Sequence, residues 1–186
     1  MTLARFFERI YIVNLRERTD RRADMERELR RVGLSAAERS VRFFPAVRPS
    51  SAGQFPSLGA RGCFMSHLGI LREALRDRLA SVLVMEDDLA IDPRFGEPQP
   101  AMLRALAQSD WDFAYFGHVE YVRPHAGAPL WLRSEQPMAC THFYALAQRV
   151  LAPLEAHLSA CLARPPGHPL GSPMHVDGAY SLFRTR

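Results

Sequence analysis

The sequence contains no lysine, and all 24 of its basic residues are arginine. Arginine and lysine differ in geometry and hydration and a chain rarely needs only one of them, so we attribute this absence first to coding bias. The sequence also lacks any uncharged apolar run approaching the roughly 20 residues that a membrane-spanning helix requires. Residues 1–9 carry charges where a signal peptide has its apolar core. These absences predict a soluble, cytoplasmic protein and leave peripheral contact with the inner membrane open.

Cysteine is scarce as well. Cys63, Cys140 and Cys161 are odd in number and far apart, and we predict reduced thiols rather than disulfides or a metal site. The net charge of +4 is modest, so it slightly favours an anionic substrate or a membrane surface and does not by itself indicate nucleic-acid binding. With 186 residues, no internal repeat and no linker, the chain suits a single domain.

The most informative stretch is residues 81–88, where the four apolar residues 82–85 run into Glu86, Asp87 and Asp88. A short apolar run of this kind predicts a buried strand of a parallel sheet, and parallel sheets bind ligands at the carboxyl ends of their strands. Because side chains alternate along a strand, Glu86 and Asp88 should share one side and Asp87 should point to the other. Grouped carboxylates favour a hard divalent metal that also carries a phosphate; the alternative is an acidic strand end solvated by water.

The remaining pattern predicts an α/β chain. Strands are predicted at residues 10–15, 41–44, 111–117 and 138–147, in addition to the acidic one. Helices are predicted from about residue 20 to Gly33, at 59–78, around 102–106 and at 150–162. Residues 118–137 are predicted to form a loop or hairpin over the site, and residues 164–173 to form a proline-rich loop.

Seven arginines surround the first predicted helix, and most are expected on its solvated face. Arg16 and Arg22 differ because they lie at the end of the first strand and in the first turn of the helix, where an arginine can meet a phosphate. His67 lies inside the second predicted helix, and its residue pattern alone favours a histidine packed between helix and sheet.

Six short blocks together resemble glycosyltransferase family 25, which contains bacterial lipooligosaccharide galactosyl- and glucosyltransferases and relatives that glycosylate collagen. The blocks occur in family order over about residues 10–183, and they are residues 10–15 with 20–22, 62–68, the strand ending at 86–88, 111–117, 141–146 and 176–177. No single block is specific; their order is.

The resemblance implies a GT-A type fold with a Rossmann-like, mostly parallel sheet flanked by helices. It further implies an inverting transfer of galactose or glucose from a UDP-sugar to a glycan acceptor such as lipopolysaccharide, assisted by Mn²⁺ or Mg²⁺. In that arrangement Asp88 and Glu86 hold the metal. The donor-binding residues implied by the matching blocks are Asn14, Arg16, Arg22, Ser66, His67, Glu86, Asp87, Gly117 and His142.

An inverting transfer needs one carboxylate to deprotonate the acceptor hydroxyl, and the resemblance favours Asp177 for that role. The structural alternative for Asp177 is a helix cap or a hydrogen bond to the loop before it. Asp112 and Glu120 are weaker candidates for the base. His142 and His175 are candidates to complete the metal shell or to contact the sugar.

Family members continue for several tens of residues beyond the last block, so we expect a single glycosyltransferase domain, 1–186, that is either a shortened member or a fragment. One alternative is a non-catalytic relative that binds a nucleotide sugar or a carbohydrate. A weaker alternative is a metal-dependent phosphoesterase, which would need further Asp and His ligands for a second metal. Nucleic-acid binding would depend on the arginines alone and lacks interleaved aromatics or a known motif.

Overall fold

A computed structural model describes residues 1–117, 131 and 134–185. Most of the loop predicted at 118–137 lies outside the described residues. The helices are α1 Leu3–Phe6, α2 Thr19–Arg31, α3 Leu58–Arg76, α4 Gln99–Ala107, α5 Gln148–Ala163 and α6 Val176–Arg184. The strands are β1 Arg9–Asn14, β2 Val41–Pro45, β3 Ser81–Glu86, β4 Phe113–Gly117 and β5 Phe143–Ala147, and a 3-10 turn spans Pro93–Gly96.

The five strands form one sheet in the order β2-β1-β3-β5-β4. Strand β1 pairs in parallel with both β2 and β3, while β5 pairs antiparallel with β3 and with β4. Four strands therefore run in the same direction and only β5 is reversed. A mostly parallel sheet flanked by helices confirms the predicted α/β class and is consistent with a GT-A type fold.

Helices cover both faces of the sheet, which explains why its strands are apolar throughout rather than alternating. On one face Tyr11 and Val84 pack with residues of α3, α5 and α6, and on the other Ile12 and Met85 pack with residues of α2 and α4. Each strand thus contributes successive side chains to two separate cores. The sheet is the middle layer, and its edges are where backbone and polar side chains reach solvent.

The last strand is shorter than predicted. Strand β5 begins at Phe143, whereas the apolar pattern predicted a strand from residue 138. The backbone of the intervening residues bonds to α6 instead: Met138 donates to Ser181 Oγ at 3.0 Å and Cys140 donates to Asp177 Oδ2 at 3.2 Å. Cys140 also has a left-handed backbone, with φ of 70°, which a continuing strand does not allow.

Three helices also differ from the prediction. Helix α1 was not predicted, and its four residues are too few to show a helical period. Helix α6 was not predicted either. Helix α5 begins at Gln148, so Pro153 lies in its second turn and removes one backbone hydrogen bond there. Among the described residues, no helix combines the length and the apolar character needed to cross a membrane.

Helix α3 approaches the loop after β2 closely at Gly62. A Cβ at this position would lie 2.7 Å from the backbone carbonyl of Val47, whereas at Gly59, one turn earlier, the nearest atom would be Ser57 Oγ at 3.8 Å. Glycine at position 62 therefore sets how near the helix carrying Cys63 and His67 lies to that loop.

We expect Gly62→Ala to lower the free energy of unfolding by about 1–3 kcal/mol, because the added methyl must displace backbone. Gly59→Ala is the matched control on the same helix. It should be neutral or raise that free energy by up to about 1 kcal/mol, because alanine favours helix. Chemical denaturation of both variants measures the difference, and equal stability of the two would contradict the close approach.

Candidate active site

An open cleft of about 300 Å³ lies at the carboxyl edge of the sheet. This is at the lower end of the range for small-molecule sites. Its lining comes from four separate parts of the chain: the start of α3, the end of β3, the residues before β5 and the start of α6. The lining residues are Ala60, Cys63, Glu86, Asp88, Cys140, Thr141, His142, His175, Val176 and Asp177.

The reversal of β5 brings its preceding residues to the same edge as the end of β3. The Glu86 N–H donates to the carbonyl of His142 at 2.9 Å, which continues the pairing of the two strands by one step. Asp177 is held nearby, since one carboxylate oxygen accepts from the Cys140 N–H at 3.2 Å and the other from the Gly178 N–H at 2.8 Å. Residues more than fifty positions apart thus meet in one cleft.

Two of the three consecutive acids, Glu86 and Asp88, line the cleft, and Asp87 does not. Strand alternation does not account for this, because β3 ends at Glu86 and the next two acids lie in a turn. Asp87 accepts from Asn14 Nδ2 at 2.7 Å and from Arg21 Nη1 at 2.9 Å, and its side chain is only 10% exposed. Asp88 is 55% exposed, with Arg21 3.4 Å from one of its oxygens. Arg21 therefore bridges two of the three acids.

Glu86 is turned inward against α3. Its Oε1 lies 3.2 Å from His67 Nε2 and 3.5 Å from the Cys63 thiol. His67 is fully buried, and its Nδ1 lies 2.7 Å from the Tyr144 hydroxyl, which lies 3.0 Å from that of Tyr180. A neutral His67 satisfies this chain when Nε2 donates to Glu86 and Nδ1 accepts from Tyr144.

Two opposing effects act on the Glu86 carboxyl group. Burial raises its pKa. The hydrogen bond from His67 and the electrostatic interaction with its ring, with smaller contributions from Cys63 and His142, lower the pKa by more than burial raises it, so the net pKa lies below the usual 4.5. Glu86 is therefore ionised at neutral pH despite its burial.

The carboxylates also act on the two cysteines of the cleft. Burial raises the pKa of the Cys63 thiol, and the charges of Glu86, Asp177 and Asp88 raise it further. The pKa of Cys140 is raised by burial and by Asp177 and Glu86. Burial is the larger cause of both shifts, and the added contribution comes from carboxylates that line the cleft or lie at its wall, where negative charge favours cations.

The lining contains residue types that a hard divalent ion accepts. Asp88 offers an exposed carboxylate, and Asp177, His142 and His175 line the same cleft, but no three of these four side chains have their ligand atoms within 4.8 Å of one another. Carboxylate oxygens are the ligands that Mn²⁺ and Mg²⁺ prefer, and imidazole is an accepted addition. Glu86, predicted as a second ligand for this ion, has Oε1 engaged with α3 instead of directed at Asp88.

Several predicted donor-binding residues lie outside the cleft lining. Ser66 is fully buried, where it donates to the Gly62 carbonyl and accepts from the Val47 N–H, so it joins α3 to the loop after β2. Gly117 packs against the His142 ring, and a Cβ there would lie 2.6 Å from Nε2. His67, like these two, supports lining residues from behind.

The arginine assignment also changes. Arg22 is exposed, stacks on the Phe43 ring at 4.1 Å and pairs with Glu26, while Arg16 is exposed in the loop after β1. Arg21 is the one that reaches the acids. The helical spacing could have indicated Arg21, because it lies four residues before the buried Met25 and so on the same face of the helix. Arg22 lies off that face.

Of the two weaker base candidates, Asp112 is not brought to the cleft. Asp112 lies just before β4, at the opposite end of that strand from Gly117, and pairs with Arg149. Glu120 lies outside the described residues. Cys63 was missed as a site residue, although its spacing of four from His67 on a helix places both side chains on one face.

Comparison with known proteins gives a consistent picture. The model of the family described as glycosyltransferase family 25 (LPS biosynthesis protein) matches residues 7–125. The chain is 31% identical over 127 residues to a glycosyltransferase 25 family member of Drosophila melanogaster, a match covering 59% of this chain and 21% of that protein. It is 29% identical over 129 residues to procollagen galactosyltransferase 1-A of Xenopus laevis, covering 60% of this chain and 21% of that protein. The match thus spans about a fifth of the length of these relatives.

We expect the Glu86 carboxyl carbon to titrate below pH 4.5 in the metal-free chain, as followed by ¹³C NMR. His67→Gln should raise the midpoint, because burial remains while the largest lowering interaction, that with the imidazole, is lost. Since the folded-state pKa is the lower one, the carboxylate's contribution to stability is complete well above pH 4.5 and is lost as the pH falls through the folded-state pKa.

Glu86→Gln identifies the resonance by its disappearance. Tyr180→Phe serves as a control, since it removes only the hydroxyl group farthest from Glu86 in this series of hydrogen bonds and leaves the contact between His67 and Glu86. A midpoint at or above 4.5 in the unsubstituted chain would show that these interactions do not outweigh the effect of burial on the pKa of Glu86.

Proposed function

Because the chain belongs to glycosyltransferase family 25, we propose that it transfers a hexose from a UDP-sugar to a hydroxyl group of a glycan acceptor, with inversion at the anomeric carbon. The observation that carries this proposal is the meeting of Glu86, Asp88, His142 and Asp177 in one cleft at the carboxyl edge of the sheet. Galactose is the favoured hexose because relatives in the family are named galactosyltransferases. Lipopolysaccharide is the favoured acceptor class because the family description names its biosynthesis.

The nucleotide is proposed to lie along the end of β1 and the start of α2. Asn14 ends β1 and already bonds Asp87, and Arg21 lies beside Asp87 and Asp88. Arg21 is 38% exposed, so it can exchange part of its pairing with Asp88 for a phosphate oxygen. Arg16 and Arg22 are exposed and are proposed to meet the outer part of the donor.

The proposed metal is Mn²⁺ or Mg²⁺, held by Asp88. When bound, such an ion neutralises charge that develops on a leaving diphosphate. Asp88 is suited to it because its carboxylate is exposed and its one strong neighbour, Arg21, is at the long distance of 3.4 Å. Cytoplasmic location, with contact at the inner membrane surface, remains part of this proposal because the acceptor class is assembled there.

Asp177 is proposed as the base. Its two oxygens each accept one N–H, which fixes the carboxylate at the cleft while leaving further lone pairs for an acceptor hydroxyl. In the transfer, the acceptor oxygen forms a bond to the anomeric carbon, its proton passes to Asp177, and the bond to the diphosphate breaks with the electron pair leaving on the diphosphate. Arg21 is placed to offset that charge.

The first test is calorimetric titration of the chain with UDP, with and without Mn²⁺. We expect binding to require the metal, and Asp88→Asn to weaken binding at least about 10-fold. Asp24→Asn is the matched control, since Asp24 is 58% exposed and pairs with an arginine on α2, as Asp88 does. UDP binding that is unchanged both by omitting Mn²⁺ and by substituting Asp88 would place the donor site elsewhere.

The second test concerns the chemical step. Asp177→Asn should lower the rate of UDP release from UDP-galactose about 10²–10⁴-fold in the presence of acceptor, while UDP affinity stays within about twofold. Lipopolysaccharide fragments and denatured procollagen serve as acceptors. Unchanged turnover in the variant would exclude Asp177 as base, and metal-dependent UDP binding without transfer to any acceptor would instead support a non-catalytic binding protein.

A further inference from the structure

Three potential metal ligands of different chemistry meet behind the cleft. The Cys63 thiol, His67 Nε2 and a Glu86 carboxylate oxygen all lie within 4.8 Å of one another. Cys63 and His67 stand one turn apart on α3, and Glu86 ends β3. We propose that these three residues bind a borderline-soft divalent ion, with zinc as the best match, separately from any hard ion at Asp88.

Two of the three ligand separations agree with a tetrahedral site, and the third, between Cys63 Sγ and His67 Nε2, lies within 4.8 Å. Zinc bonds of about 2.3 Å to sulfur and about 2.0 Å to nitrogen and oxygen place sulfur and oxygen about 3.5 Å apart, and nitrogen and oxygen about 3.3 Å apart. The corresponding distances from Glu86 Oε1 are 3.5 Å to Cys63 Sγ and 3.2 Å to His67 Nε2. The same separations suit hydrogen bonds in the metal-free chain, so an ion can replace the shared protons with little movement of Glu86.

His67 is prepared for ligation by its other nitrogen. Nδ1 lies 2.7 Å from the Tyr144 hydroxyl, and histidine ligands almost always direct their second nitrogen to a partner of this kind. Metal binding requires Nε2 to lose its proton, so Nδ1 must then donate to Tyr144. The Tyr144 and Tyr180 hydroxyls, 3.0 Å apart, can each donate or accept, so the donor and acceptor roles along these hydrogen bonds can reverse without moving a heavy atom.

The ligand set selects the ion. A thiolate, an imidazole and a carboxylate suit zinc or a neighbouring transition metal, whereas Mn²⁺ and Mg²⁺ prefer oxygen ligands. Cys63 and Glu86 line the cleft while His67 lies behind them, so the fourth position faces the cleft. Three protein ligands with one open position are the pattern of zinc sites that accept water or substrate. The ion would place positive charge at the floor of an acidic cleft.

Cobalt titration tests the proposal directly, with the chain kept reduced by a phosphine and freed of metal beforehand. Co²⁺ bound by a thiolate gives a charge-transfer absorption in the near ultraviolet. We expect this band in the unsubstituted chain and in Cys140→Ser, and we expect zinc to abolish it by displacement. Cys63→Ser should lose the band and bind zinc at least about 100-fold more weakly, beyond the effect of losing an outer-shell partner.

Cys140→Ser is the matched control because Cys140 lines the same cleft but is not in the cluster. Circular dichroism and thermal unfolding in chelator show whether each variant is folded. If Cys63→Ser does not fold, alkylation of the unsubstituted chain decides, because zinc should protect Cys63 and leave Cys140 reactive. Absence of the cobalt band, its survival in folded Cys63→Ser, or equal alkylation of the two cysteines with and without zinc overturns the proposal. None of these measurements depends on transferase activity, so they stand apart from the proposed function.

Discussion

Strand β5 runs against β3, and their hydrogen bonds continue to the residue just before β5, from the Glu86 N–H to the carbonyl of His142. If β5 were parallel like its neighbours, the residues before it would lie at the opposite edge of the sheet. The reversal therefore brings residues 140–142 to the acidic end of β3. The start of helix α6 is held at the same edge, because the Cys140 N–H donates to Asp177. The cleft depends on this one pairing.

The acids at the end of β3 serve two sides of the molecule. Asp87 is nearly buried and ties the strand to Asn14 of β1 and Arg21 of α2, while its neighbours face the cleft. An ionised carboxylate at this burial requires such partners, since an unpaired one would be strongly unfavourable. The paired Asp87 thus holds β1, α2 and β3 in fixed relation, and the exposed Asp88 is positioned by its neighbour in the chain.

A chain of buried polar groups stands behind Glu86. It links α6 to β5, α3 and β3 through Tyr180, Tyr144, His67 and Glu86. Buried polar groups stabilise a structure only when each finds a partner, and here each of the four side chains lies within hydrogen-bonding distance of the next. The elements that line the cleft are therefore connected by specific bonds as well as by the apolar core, which favours a single arrangement of the site.

The sequence alone predicted the α/β class and a buried strand that leads into the acids, because the apolar strand pattern is local and the carboxyl-edge rule is general. Resemblance to a family selected Asp177 and His142, which the structure brings to the same cleft. Local patterns could not show that β5 is reversed, that Met138 and Cys140 bond to α6 instead of extending the strand, or that Glu86 turns toward Cys63 and His67. Those outcomes were decided by tertiary structure, because each depends on hydrogen bonds between residues far apart in the chain, and no local period encodes such a partner.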